Sequence, residues 1–229
     1  MVAALASEAR ALGPSMSRGG TFPLSELAAL GEGSLLAVSG IGRAAADAAA
    51  HALVDAGVPA LMTFGLAGGL DPALKCGSVV IPREVISLDG ARYAANQAWR
   101  ERVAAAVSSL RAVSEGAVLT SAHAINTAAD KAAAFHSTGA AAVDMESVAV
   151  AAVAADRQLP FIAVRVIVDT AADRLPRAVV AASRAGRVQF GRLIAGLVVA
   201  PGEIAALMRL AQRYRIAMRS LRAVGAHLA

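Results

Sequence analysis

The stretch Val143–Asp173, VDMESVAVAAVAADRQLPFIAVRVIVDTAAD, decides how the rest of the chain is read. An apolar run from Ala140 to Val143 leads into two acids, Asp144 and Glu146, that flank Met145. A helix-forming Ala/Val segment continues to about Gln158, Leu159 and Pro160 form a turn, and Phe161 to Val168 is rich in β-branched residues and stops at Asp169. Such an unbroken apolar run suits a strand of a parallel sheet buried on both faces, although its periodicity alone also fits a buried helix. In an open parallel sheet the ligand crevice lies outside the carboxyl ends of the strands, so Glu146 and Asp169, each just past a strand end, can share one crevice. Single acids at such positions often only cap a turn or a helix. Two of them with Met145 in one strand-helix-strand unit point to a site.

Around this unit, 229 residues suit one domain with a sizeable core. The composition, 57% hydrophobic but 3% aromatic, requires that core to be built from Ala, Val, Leu and Ile. No apolar run reaches the ~18 residues of a membrane span. The start, MVAALASEAR, has neither the apolar length nor the basic lead of a secretory signal, so a cytoplasmic protein is expected. Cys76 is the only cysteine, which excludes an intramolecular disulfide and a cysteine-based metal cluster. His51, His123, His136 and His227 lack close ligand spacing, so neither metal nor resident cofactor is expected. The net charge of +5 is concentrated in residues 204–229, which hold five arginines and no acid; elsewhere basic and acidic residues are equal in number. A neutral body without stacking aromatics argues against a nucleic-acid partner.

Taken in order, Val2–Ala6 reads as a first strand and Ser7 as the cap of a helix holding Glu8, Arg10 and Leu12, ended by Gly13 and Pro14. A short helix is expected at LSELAAL, 24–30, and a strand at Ser34–Val38. The turn Ser39–Gly42 then enters an Ala-rich helix, Arg43–Ala56. Gly40 to Ala45 spells GxGxxA, a dinucleotide-binding pattern, but the next strand, Ala60–Phe64, supplies no acid for the ribose, which argues against a nicotinamide enzyme. Gly40 and Gly42, and Gly65, Ala67 and Gly68 in TFGLAGGL, form two loops whose backbone amides can bind an anion or water, or that serve only turns and packing. Ser78–Ile86 is expected as one strand, Asn96–Val113 as an amphipathic helix and Ala117–Ser121 as a strand. SAHAIN follows at the same sheet edge, with Lys131 in the next helix. A long helix is expected over Arg177–Val199, and Pro201 opens the last one.

In that last helix Ile204, Leu207, Leu210, Ala211, Tyr214, Met218, Leu221, Val224 and Leu228 fall on one arc and all five arginines on the other, with Met208 and Ile216 as exceptions. A basic amphipathic helix can lie on an anionic membrane, close over an apolar substrate, or dock on the body or a second subunit.

The order of SGIG at 39–42, GLAGGL at 65–70 with KCGSVV after it, VDMES at 143–147 and FIAVRVIVDTA at 161–171 resembles the nucleoside phosphorylase and methylthioadenosine/adenosylhomocysteine nucleosidase superfamily, over about residues 1–195. VDMES, the Leu175-Pro176 pair and the extra C-terminal helix look most like the hopanoid-associated phosphorylases, which act on adenosylhopane. The resemblance implies an α/β three-layer sandwich around a mixed, largely parallel sheet over 1–200, with the amphipathic helix 201–229 appended, and cleavage of a purine–ribose bond. It implies Asp169 as the acid near purine N7, Glu146 on the ribose hydroxyls, Met145 against the ribose, Ile125 near the purine and Glu8 orienting an attacking water. An oxocarbenium-like transition state and a leaving purine that must be protonated make sense of such acids, and Asp169 then has to be buried to stay protonated. Two departures stand out. The superfamily's phosphorylases carry Arg at the position of Thr63 and Ser or Thr at that of Leu66 for phosphate, and neither is present. Arg10 or Arg43 could replace the missing charge, so phosphate and water both remain open as acceptor. The expected ligand is an adenine nucleoside, with a lipid-like 5′ group in the hopanoid case, and homo-oligomers are common in the superfamily. The alternatives are a nucleosidase of soluble methylthioadenosine-like substrates and a protein that binds nucleosides without turnover.

Overall fold

The computed structural model describes residues 1–13, 27–31, 33–109, 113–176 and 204–228. The helix expected at Arg177–Val199 and the segment Pro201–Glu203 lie outside these residues.

Two nine-residue strands form the centre, β4 (Leu61–Gly69) and β11 (Phe161–Asp169), parallel from the Leu61–Phe161 pair to the Gly68–Asp169 pair. Nearly every residue of both is buried, as expected of strands covered on both faces. The glycine-rich segment expected as a loop after Phe64 is therefore still strand. On the other side of β4 lie two shorter strands: β1 (Val2–Ala3) is parallel to its start and β10 (Ala142–Asp144) antiparallel to its end. Val2 pairs with Thr63 and Val143 with Gly68, so the middle of β4 has no strand beside it here. This fork in the sheet positions the site.

Outward from β1, the sheet continues through β3 (Ser34–Val38) to the edge strand β2 (Leu27–Gly31). Beyond β10 it continues through β9 (Val118–Thr120) and β6 (Glu84–Ser87) to β7 (Arg92–Ala94). Beyond β11 lie β5 (Val79–Val80) and β8 (Val113–Ser114). The result is the mixed, mostly parallel sheet expected from the sequence.

Helices cover both faces. In α2 (Arg43–Asp55) the buried residues Ala46, Ala49, Ala50 and Leu53 are spaced along one face, and they join α5 (Ser147–Asp156) in one core cluster. Small alanines let the helices approach closely without aromatic filling. The opposite cluster joins Leu12 after the short α1 (Ala6–Ala9), Val103 and Val107 of α3 (Gln97–Val107), and Met218, Leu221 and Val224 of the C-terminal helix (Ile204–Gly225). A Cβ on Gly225 would lie 2.1 Å from the Ala11 carbonyl oxygen, so that helix ends in a contact which only glycine permits. Burying a side chain such as Leu221 contributes roughly 1.5–3 kcal/mol. The apolar arc is thus divided. Its C-terminal half belongs to the core, whereas Leu207, Leu210 and Tyr214 are half-buried and Ala211 is exposed; Met208, off the arc, is 65% exposed.

Three local expectations are corrected. Residues 27–30, expected as the end of a helix, are strand: Ala28 and Leu30 pack on the second cluster while Leu27 and Ala29 face outward, the period-2 pattern of an edge strand paired with β3. The expected strand Ser78–Ile86 is two strands, interrupted where Pro82 can donate no ladder hydrogen bond. The amphipathic helix begins at Asn96, whose side chain accepts from the Trp99 N–H, but ends at Val107, and Val113 pairs with Val79 in the sheet.

Candidate active site

The fork in the sheet leaves the Leu66 N–H without a strand partner, and the Glu8 carboxylate takes it. Glu8 Oε1 accepts from Leu66 N at 2.9 Å, and Oε2 accepts from Leu5 N at 2.9 Å at the start of its own helix. Gly65 makes room for it, because a Cβ there would lie 2.7 Å from Glu8 Oε1. Burial pushes this carboxyl above its ordinary range, opposed by the Leu66 and Leu5 amides and by Arg165.

Glu146 lies two residues past the end of β10. Its Oε1 accepts from Gly42 N at 2.8 Å, which ties the β10–α5 turn to the start of α2. Burial, and then the neighbouring Asp144, push Glu146 up to about 7, against the pull of Arg165 and the Gly42 amide. Asp169, the last residue of β11, is 4% exposed. Lys131, fully buried on α4 (Ala128–Thr138), donates to Asp169 Oδ2 and, at 2.7 Å, to the Thr170 carbonyl oxygen. Burial still raises the Asp169 carboxyl above its ordinary range, although Lys131 and Arg213 oppose it.

A cavity of about 180 Å³ gathers Met145, Glu146, Asp169, Ile125, Ala67 and Gly68 on its wall, together with Leu66, His123, Val168 and Leu175. The crevice expected between Glu146 and Asp169 is therefore present. Glu8 stands behind Leu66 rather than on the wall. A second cavity of about 500 Å³ adjoins, sharing Asp169 and Leu175 with the first and bounded by Asp173, Pro176, Leu210 and Arg213. The segment between them is fastened from both sides. Leu175 N donates to Asn126 O at 3.0 Å, and Asp173 pairs with Arg213 while accepting from Thr170 N and Oγ1.

The glycine loops hold anions of a different origin from those expected. The Gly42 and Leu66 amides are engaged by the chain's own Glu146 and Glu8, and Gly40 N donates to the Ala4 carbonyl oxygen at 3.1 Å. The replacement cations are displaced too: Arg10 and Arg43 are exposed. Thr63, at the position compared with a phosphate-binding arginine, is buried and shares a 3.1 Å hydrogen bond with Ser147, while Leu66 presents an apolar side chain to the cavity.

Two basic residues were not assigned a role from the sequence. Arg165 lies in the middle of β11, 3% exposed, and donates from Nε to Asp144 Oδ2 at 2.7 Å and from Nη2 to Ser147 Oγ at 3.0 Å. Its signal was a charge inside a doubly buried strand, which demands a partner acid. Lys131 was noted in its helix but not paired. Among flanking alanines nothing local distinguishes a buried lysine from a solvated one. Among the described residues no group of three or more His, Cys, Asp or Glu could hold a metal ion, and no helix is long and apolar enough to cross a membrane.

Residues 2–200 match the family profile described as the phosphorylase superfamily. No curated protein sequence matches the chain. Among solved structures, futalosine hydrolase of Helicobacter pylori superposes with a TM-score of 0.65 at 17% identity, over 84% of this chain and 91% of that one. The 5′-methylthioadenosine/S-adenosylhomocysteine nucleosidase of the same organism gives 0.65 at 17% identity, over 86% and 95%. The corresponding enzyme of Neisseria meningitidis, in complex with methylthio-immucillin-A, gives 0.62 at 20%, over 97% and 96%. At these identities the likeness is one of fold.

Proposed function

The chain belongs to the phosphorylase superfamily, and from that premise we propose that it cleaves the N-glycosidic bond of an adenine nucleoside whose 5′ carbon bears a large apolar group, with adenosylhopane as the proposed substrate. The observation that carries this is the gathering of Glu146 and Asp169 on one cavity wall with Glu8 held directly behind Leu66. Asp169, whose carboxyl burial raises above its ordinary range, gives its proton to purine N7 as the C1′–N9 bond breaks and its electron pair leaves with the base. Glu146 accepts from the ribose hydroxyls and, when ionised, favours the positive charge growing on the sugar. Met145 packs on the ribose and Ile125 beside the purine. Glu8 orients the attacking water and takes its proton. Arg165 and Lys131 are committed to acids and Leu66 replaces a hydroxyl, which favours water as acceptor; Arg174 and Arg209, on the wall of the adjoining cavity, are the basic side chains a phosphate acceptor would use.

The adjoining 500 Å³ cavity gives room for a 5′ group, with Leu175, Pro176 and Leu210 beside the charged Asp173, Arg174, Arg209 and Arg213, and support for an apolar group comes from the first turns of the C-terminal helix, where Met208 is exposed. The same turns, with exposed Arg209 and Arg215, suit peripheral contact with an anionic membrane carrying such a substrate. A second reading, a nucleosidase of soluble methylthioadenosine or adenosylhomocysteine, is favoured by the solved structures that share the fold. Homo-oligomerisation is proposed from superfamily membership.

One assay separates these readings. Adenine release is followed by chromatography from adenosylhopane in anionic vesicles and from methylthioadenosine in solution, with and without phosphate, and the sugar product is weighed. The expected outcome is release from the vesicles, equal without phosphate, yielding the free sugar. A faster soluble reaction would select the second reading. Strict phosphate dependence with a sugar 1-phosphate product would make the enzyme a phosphorylase and direct substitution to Arg174 and Arg209. No release from either substrate would leave a nucleoside-binding protein.

A further inference from the structure

Lys131 is a buried ion that the mechanism above does not use. It is fully buried on a helix whose neighbouring residues Asp130, Ala132 and Ala133 are exposed, and its Nζ reaches the acid at the end of β11. A buried ammonium is costly unless paired and hydrogen-bonded. Here it is both, with Asp169 Oδ2 and the Thr170 carbonyl oxygen as acceptors. Oδ1 of Asp169 accepts no hydrogen bond from another of the described residues, and Asp169 lines the cavity.

The geometry points to Lys131 as the positioning residue of the acid: it holds Oδ2, leaves Oδ1 to face the purine, and stabilises the carboxylate formed when the proton has moved to N7. It rests on the function proposed above. The balance is simple. One proton passes from Asp169 to N7, the C1′–N9 electron pair goes to the base, water supplies the new bond at C1′, and Lys131 keeps its protons throughout. Burial raises the Asp169 carboxyl, and the fixed ammonium opposes that rise and favours the ionised form left once the proton has moved. The other charged or titratable groups lining the two cavities with this acid are Glu146, Asp144 and His123 in the first, and Arg174, Arg209 and Arg213, the last committed to Asp173, in the second.

A structural role, fastening α4 to Thr170, would predict a different result, and a change of leaving group separates the two. Lys131→Met and Lys131→Gln are compared with wild type on adenosine, whose base must be protonated to leave, and on 4-nitrophenyl riboside, whose leaving group departs as a stable anion. The expected outcome is a fall in kcat on adenosine of about 100-fold or more, in the range of lost general-acid catalysis, with little change in KM. Turnover of the nitrophenyl riboside should stay within about threefold of wild type. The alkaline limb of the adenosine profile should move to higher pH, because removing the cation raises the acid further. Lys131→Arg, which keeps a charged donor, should recover part of the adenosine rate. Equal losses on both substrates, with the alkaline limb unmoved, would overturn the assignment and leave a structural staple. If Lys131→Met does not fold, Lys131→Gln carries the same comparison. Should wild type not turn over adenosine, the comparison uses whichever of adenosylhopane and methylthioadenosine it cleaves, and inactivity on all three adenine nucleosides would instead overturn the underlying function, and the assignment with it.

Discussion

Two buried acid–base pairs stand at the ends of the two strands that flank the end of β4, and their difference shows where a protein of this kind places its chemistry. Asp144 ends β10 and pairs with Arg165; Asp169 ends β11 and pairs with Lys131. Both acids are at most 5% exposed. Asp144 is satisfied at both oxygens: Oδ1 accepts from Thr120 Oγ1 at 2.7 Å and Ser147 N at 3.3 Å, and Oδ2 accepts from Arg165 Nε at 2.7 Å and Ser147 Oγ at 2.5 Å. The planar guanidinium also reaches Ser147, so this pair closes a network that fixes the β10–α5 turn carrying Met145 and Glu146. Both acids line the cavity, but Asp169 is held only at Oδ2, and its Oδ1 accepts no hydrogen bond from another of the described residues. A fully satisfied pair holds structure. A pair satisfied on one side keeps a reactive oxygen.

Breaking the first pair should have the largest effect on stability. Arg165→Met strands the Asp144 carboxylate in the core and should cost about 3–5 kcal/mol in urea unfolding. Adding Asp144→Asn should recover much of it, because the buried charge is then removed. Loss of activity in the single variant with little loss of stability would contradict the structural role given to this pair.

Glu146 tests the reactive side through pH. Its folded carboxyl is raised from 4.5 to about 7, mainly by burial. A raised acid leaves stability intact at pH 4 and removes it progressively as pH climbs from about 4.5 to about 7, after which the loss is constant. Glu146→Gln escapes this charging and its amide oxygen can still accept from Gly42. At pH 8 the variant should be more stable than wild type by up to about 3 kcal/mol, an advantage that vanishes near pH 4, while adenine release is lost. Thermal melts across this range read the difference, and a pH-independent difference would remove Glu146 from the reactive group.

The smallest change is at the fork. Gly65→Ala puts a methyl group against Glu8 Oε1 and should cost roughly 1–3 kcal/mol as the carboxylate is displaced. Hydrolysis should fall more than nucleoside affinity, read as kcat against Kd by calorimetry. An unchanged kcat would exclude Glu8 from orienting the water.

Much of this was legible in linear order. The apolar run Phe161–Val168 between a turn and an acid announced a doubly covered strand, and Glu146 and Asp169 past two strand ends were recognisable as neighbours of one crevice. Less legible were the edges. The segment Leu27–Leu30 reads as helix by composition and becomes strand only because β3 offers an edge and the second core cluster takes every other side chain. The glycine-rich segment after Phe64 looks like a loop until β11 is laid beside it.

By itself the sequence determined the alternation of strands and helices, the two acids of the crevice and the membership carried by the spacing of its motifs, since these rest on local periodicity and on which residues end a strand. Only the tertiary structure decided the partners. That the Gly42 and Leu66 amides hold the chain's own carboxylates, that Arg165 serves Asp144 and Lys131 serves Asp169, and that half of the basic tail helix is core, all depend on groups 21 to 104 residues apart meeting where water is excluded. Burial, which no local pattern encodes, is what turns those meetings into perturbed acids and fixed charges.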